Sequence, residues 1–119
     1  MNSLTTIKDV IQNNKKEIHE KFSVKSLGIF GSYARNEQTE SSDIDILVDF
    51  DKPIGLEFVT LADYLESLLE VKIDLVSRNA VKSNLMKYIE RDIQYVWTRL
   101  ENSFSRHGRK RRKDSALYR

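Results

Sequence analysis

Three aspartates and one glycine–serine pair carry the residue types in this chain that can do chemistry together. Gly31-Ser32 is followed, after ten intervening residues, by Asp43-Ile44-Asp45, and Asp74 lies further on. Side chains two apart on a strand point to the same side, so Asp43 and Asp45 would project together, about 6 to 7 Å apart. Carboxylates that close repel unless a cation lies between them or one takes a proton. A hard divalent ion, Mg²⁺ before others, resolves the conflict and leaves coordination positions for phosphate oxygens. Gly31 lacks a Cβ, so backbone can approach a ligand there, and Ser32 adds a hydroxyl donor. Together they read as a metal–nucleotide site.

The elements that must position these groups follow from periodicity. Ile7, Val10, Ile11, Ile18 and Phe22 recur at helical spacing, which predicts one amphipathic helix over residues 5–21, capped by Ser3, Thr5 or Thr6. Residues 24–30 read as a strand running up to Gly31, and residues 33–37 as a short helix whose first N–H groups would face the metal. Ile44, Ile46 and Val48 alternate with Asp43, Asp45, Leu47 and Asp49, a second strand with core on one face and acids on the other. A helix over 56–70, a third strand over 71–76 bearing Asp74, and a long last helix over 81–100 complete the order. If the third strand pairs beside the second, Asp74 joins the acidic cluster. The fold class expected is α/β (α+β), with a small three- to four-stranded mixed sheet flanked by helices.

At 119 residues the chain is expected to form one domain, over residues 1–102, followed by a basic tail over 103–119. Residues 103–119 hold seven basic side chains against one acid, a net +6. The other 102 residues hold 13 basic and 17 acidic ones, a net −4. Apolar residues thin out in the tail, and disorder is expected there. The run Arg109-Lys110-Arg111-Arg112-Lys113 suits nucleic-acid phosphates or an acidic partner, and equally a solvated tail; it lacks the interleaved aromatics of base recognition. The chain has no cysteine, which excludes disulfides, thiol catalysis and cysteine-based zinc sites. No apolar run is long enough to span a bilayer, and the expectation is a cytoplasmic protein.

These residues resemble the nucleotidyltransferases of the DNA polymerase β-like superfamily, whose pattern is Gly-Ser, ten residues, Asp-x-Asp, and a later Asp. The closer resemblance is to the minimal nucleotidyltransferases. Their Gly-Ser-x-Ala-Arg-Gly and Ser-Asp-x-Asp blocks look like Gly31-Ser32-Tyr33-Ala34-Arg35-Asn36 and Ser42-Asp43-Ile44-Asp45. Asn36 stands where glycine is usual, and asparagine is the side chain that best tolerates a left-handed backbone.

The resemblance implies the polymerase β-like fold and a mechanism. Asp43, Asp45 and Asp74 would be catalytic and hold two Mg²⁺ ions, Asp74 serving the second ion or acting as base. Gly31 and Ser32 would bind the phosphates of ATP, with Arg35 and Ser42 as further candidates. It also implies an antitoxin that adenylylates a tyrosine of a HEPN-domain toxin in a type VII-like pair, with the two proteins forming a hetero-oligomer. The alternatives are an antitoxin acting by binding alone and transfer to a small molecule. Individual residues keep blander readings: Arg35 as a surface partner of Glu37 or Glu40, Ser42 as a turn residue, Tyr33 as packing, Trp97 as a core or interface anchor. His19 and His107 have no partner at ligand spacing.

Overall fold

The computed structural model describes residues 3–98, so the tail over 103–119 and the boundary at residue 102 lie outside the described residues. Helices α1 (Leu4–Asn13) and α2 (Lys15–Phe22) lead into strands β1 (Val24–Phe30) and β2 (Ile44–Phe50). They are followed by helix α3 (Glu57–Leu69), strand β3 (Ile73–Ser77), a short 3-10 helix (Arg78–Ala80), helix α4 (Ser83–Glu90) and strand β4 (Gln94–Trp97). The four strands form a mixed sheet in the order β3-β2-β1-β4. β1 pairs antiparallel with both β2 and β4, while β2 and β3 run parallel, joined by the α3 crossover that parallel pairing requires.

One sheet face carries the main core. Ile7 and Ile11 of α1, Ile18 and Phe22 of α2, and Leu61, Leu65 and Leu69 of α3 pack against Leu27, Ile29, Ile44, Ile46, Val48 and Ile73. The helical spacing of the first four continues across a break that periodicity did not reveal. Residues 5–21 are two helices, because Asn14 takes φ −110° and ψ 15° and its side-chain amide donates to the Val10 carbonyl at 2.8 Å. An asparagine amide that competes for a helix carbonyl favours an end over an interior position. Ser3 supplies the expected N-cap, its hydroxyl accepting from the Thr6 N–H.

The second correction is larger. The helix predicted over 81–100 ends at Glu90, and Gln94–Trp97 instead form an edge strand. A register shift between Leu27 and Gly28 sets Trp97 opposite Leu27 and Tyr95 opposite Gly28, leaving Val96 as the extra residue. Two consecutive residues, Val96 and Trp97, are thereby both buried, which regular alternation would forbid. Trp97 is a core residue at 0% exposure. Gly28 makes the strand fit: a Cβ there would come within 2.7 Å of the Ile93 side chain.

The other sheet face is not purely acidic. Leu47 is 2% and Asp49 8% exposed, so the alternation on β2 separates two covered faces, and its acids reach solvent only toward one end. At the opposite end Asp49 lies 4.0 Å from Lys25, and Asp51 meets His19 at 3.2 Å.

Candidate nucleotide site

β1 and β2 are antiparallel, so the end of β1 lies beside the start of β2, with Phe30 opposite Asp45. The chain turns away at Gly31 with φ +77°, a left-handed value suited to glycine. The same glycine makes room for the acid. A Cβ at Gly31 would overlap a carboxylate oxygen of Asp45 and lie 3.1 Å from its Cγ. The first glycine of the motif and the second aspartate are therefore one packing unit.

Parallel pairing of β2 with β3 places Asp45 opposite Asp74, on strands roughly 4.8 Å apart. Asp43 stands one residue before β2. It and Asp74 are exposed, while Asp45 is half-buried. Burial pushes the Asp45 carboxyl up to about 6, helped by the neighbouring charges of Asp74 and then Asp43; Arg35 acts in the opposite sense. Asp45 is thus the group under electrostatic stress. Among the described residues no three His, Cys, Asp or Glu side chains stand in a ready metal-binding arrangement. The expected three-carboxylate cluster is present as an Asp45–Asp74 pair with Asp43 acting electrostatically from the strand's edge. A half-buried Asp45 carboxylate facing Asp74, with the charge of Asp43 nearby, is a hard-oxygen donor pair with excess negative charge, and that chemistry suits a divalent cation.

The segment predicted as a short helix over 33–37 is a run of turns. The Arg35 N–H donates to the Gly31 carbonyl at 3.1 Å, Asn36 to Tyr33 at 3.3 Å and Glu37 to Ser32 at 2.8 Å. The last two bonds, with Asn36 at φ 60°, are the Schellman closure that usually takes glycine at this position. One turn is too short for the dipole argument made from sequence. A phosphate held there would rely on individual N–H groups, the Ser32 hydroxyl and nearby cations. Tyr33 is 4% exposed and packs in the core, which fixes the turn from beneath.

Arg35 is pinned from two sides: its Nε donates to Glu37 at 3.0 Å and its Nη1 to Asp92 at 2.9 Å. The second bond ties the turn to the α4–β4 connection. Reading 81–100 as one helix hid Asp92; the signal available was the run Ile93-Gln94-Tyr95-Val96-Trp97, whose branched and aromatic residues suit a strand. Ser42 closes the loop that delivers Asp43. Its hydroxyl accepts from the Thr39 N–H at 2.9 Å and its own N–H donates to the Thr39 carbonyl at 3.1 Å.

Residues 11–110 match the family described as nucleotidyltransferase domain. A Methanocaldococcus jannaschii protein provisionally named a protein adenylyltransferase is 50% identical over 98 residues, covering 81% of this chain and 100% of that one. The protein adenylyltransferase MntA of Thermococcus cleftensis is 44% identical over 97 residues, covering 81% and 98%. In fold, the chain is similar to the solved structure of a tri-AMPylated Shewanella oneidensis HEPN toxin in complex with MNT antitoxin. The TM-score is 0.59 at 20% identity, covering 81% of this chain and 76% of that one. Given a match along most of its length and close identity to these enzymes, the chain belongs to the nucleotidyltransferase family, in its minimal branch of protein adenylyltransferases.

Proposed function

We propose that the chain is a Mg²⁺-dependent adenylyltransferase that moves AMP from ATP onto a tyrosine hydroxyl of a HEPN-domain toxin and so acts as that toxin's antitoxin. One observation carries the reading: Gly31 yields its Cβ space to Asp45, which faces Asp74 across paired strands. That contact couples the phosphate turn to the carboxylates in a single geometry. The names borne by the relatives, protein adenylyltransferase and MNT antitoxin with an AMPylated HEPN toxin, support the acceptor class.

In this mechanism the Gly31-Ser32 turn holds the β- and γ-phosphates through its N–H groups and the Ser32 hydroxyl. The acceptor oxygen attacks the α-phosphorus in line, a new P–O bond forms, and the bond to pyrophosphate breaks. Asp74, the more exposed of the paired carboxylates, takes the hydroxyl proton and passes it to solvent. Two Mg²⁺ ions, when bound by Asp45 and Asp74 with Asp43 adding charge, would neutralise both the carboxylates and the developing phosphate charge. Arg35 offsets negative charge beside Asp45. In this reading the acceptor tyrosine is presented by the partner's own fold.

The test is transfer of label from α-labelled ATP to the partner toxin in Mg²⁺. Label should appear on the toxin, vanish with Asp45→Asn or Asp74→Asn, and vanish when the acceptor tyrosine becomes phenylalanine. Neutralisation that survives Asp43→Asn/Asp45→Asn in full would instead establish an antitoxin acting by binding alone.

A further inference from the structure

We infer that Asp92 is a positioning residue for nucleotide binding: it holds the Arg35 guanidinium against the Gly31–Asn36 turn so that one edge stays directed to a phosphate. The inference rests on the nucleotide-transfer reading above and extends it to a residue outside the Gly-Ser and Asp-x-Asp motifs.

Arg35 closes the turn through its backbone, donating to the Gly31 carbonyl at 3.1 Å, so the placement of its side chain and the shape of the turn are linked. Two carboxylates grip the guanidinium, and they are unequal anchors. Glu37 belongs to the same turn and its side chain is 64% exposed, whereas the Asp92 side chain is 29% exposed and comes from a separate part of the fold. Asp92 is itself fixed. Its N–H and that of Ile93 both donate to the Ile89 carbonyl at 3.1 Å, and Ile93 packs over Gly28 in the adjoining strand. Asp92 thus transmits the position of the α4–β4 junction to the turn.

The bonds at Nε and Nη1 leave Nη2 without a partner among the described residues. A guanidinium held by Asp92 as its firmer anchor, with Glu37 as a second acceptor from its own turn, loses little further freedom when it meets a phosphate oxygen, which favours binding through preorganisation rather than through added charge. The trio of Arg35, Glu37 and Asp92 carries net negative charge. A benefit to a triphosphate must therefore come from geometry, and loosening Arg35 should weaken binding.

The experiment is titration with AMP-PNP in Mg²⁺ and steady-state transfer from ATP, using Asp92→Ala, Asp92→Glu, Arg35→Ala and the Asp92→Ala/Arg35→Ala double variant, each checked by thermal melting. Asp92→Ala should raise Kd for AMP-PNP and KM for ATP about three- to tenfold with kcat little changed. Asp92→Glu should recover most of the loss, and the double variant should bind no worse than Arg35→Ala. Unchanged Kd and KM in Asp92→Ala, fully additive losses in the double variant, or a fall in kcat alone would overturn the inference. A wild type that binds AMP-PNP but transfers nothing sinks the proposed activity and leaves this inference to be judged on binding; one that binds no nucleotide sinks both.

Discussion

The carboxylate of Asp45 occupies the space in which any residue other than glycine at position 31 would carry its Cβ. The backbone at Gly31 also has φ +77°, so a side chain there meets two penalties at once. Gly31→Ala should destabilise the protein by about 1–3 kcal/mol from overpacking and left-handed strain. The larger effect should be on transfer, because the Asp45 carboxylate must move out of register with Asp74. Thermal denaturation and an adenylylation assay check this together. Full activity in a folded Gly31→Ala protein would show that the placement of Asp45 is not set by this contact.

Asp45 also makes metal-free stability depend on pH in a defined direction. Its pKa rises from 3.8 to about 6 on folding because burial and the charges of Asp74 and Asp43 disfavour the carboxylate. The folded state therefore holds the proton more tightly than the unfolded chain. The associated stability is complete below about pH 4 and is lost as pH rises through about 6. Asp45→Asn carries no such group, so the variant should be more stable than wild type at pH 7–8, with the difference shrinking as pH falls from 6 to 4. Chemical denaturation across that range, in chelator, measures it. A constant difference between the two proteins at all pH values would remove the electrostatic cause.

The same repulsion predicts a response to Mg²⁺ that does not need substrate. A cation that binds only the folded carboxylates at tenfold excess over its Kd adds about 1.4 kcal/mol, enough to raise Tm by several degrees. Wild type should show that rise at pH 7.5, and Asp45→Asn/Asp74→Asn should not. An equal rise in both would assign the ion to another part of the surface.

What could be read from sequence divides along physical lines. The alternation from Asp43 to Asp49 was legible because strand period and acid spacing coincide. Asp74 was expected beside the other acids only on the condition that the third strand paired with the second, and the observed parallel register sets Asp74 directly opposite Asp45. Leu47 and Asp49 share the face read as acidic, and both are buried, because alternation tells which residues share a side, not what covers it. Asn14 and β4 were missed for a related reason. The break at Asn14 depends on one amide competing for the Val10 carbonyl, and the strand at Gln94 on pairing with β1, a contact some 65 residues away in sequence. Helical spacing of Leu85, Met86, Ile89, Ile93 and Val96 was present, but tertiary pairing decided the outcome. The same misreading hid Asp92, the partner of Arg35, which sits where helix gives way to strand.

Asn36 offers a test of the turn that leaves every proposed ligand in place. It stands at φ 60°, where the Schellman closure of the Gly31–Glu37 segment would ordinarily have glycine. Asparagine tolerates this conformation with a small penalty, whereas a β-branched residue there pays about 1–2 kcal/mol. Asn36→Gly should accordingly be neutral or stabilising by a few tenths of a kcal/mol, and Asn36→Val should destabilise by about 1–2 kcal/mol. Because Glu37 N–H to Ser32 carbonyl is the bond that closes the motif at 2.8 Å, the valine variant should also loosen Ser32 and raise KM for ATP. Melting curves and ATP titrations of the two variants decide it: an Asn36→Val protein as stable as wild type would mean that the left-handed closure does not hold the turn in solution.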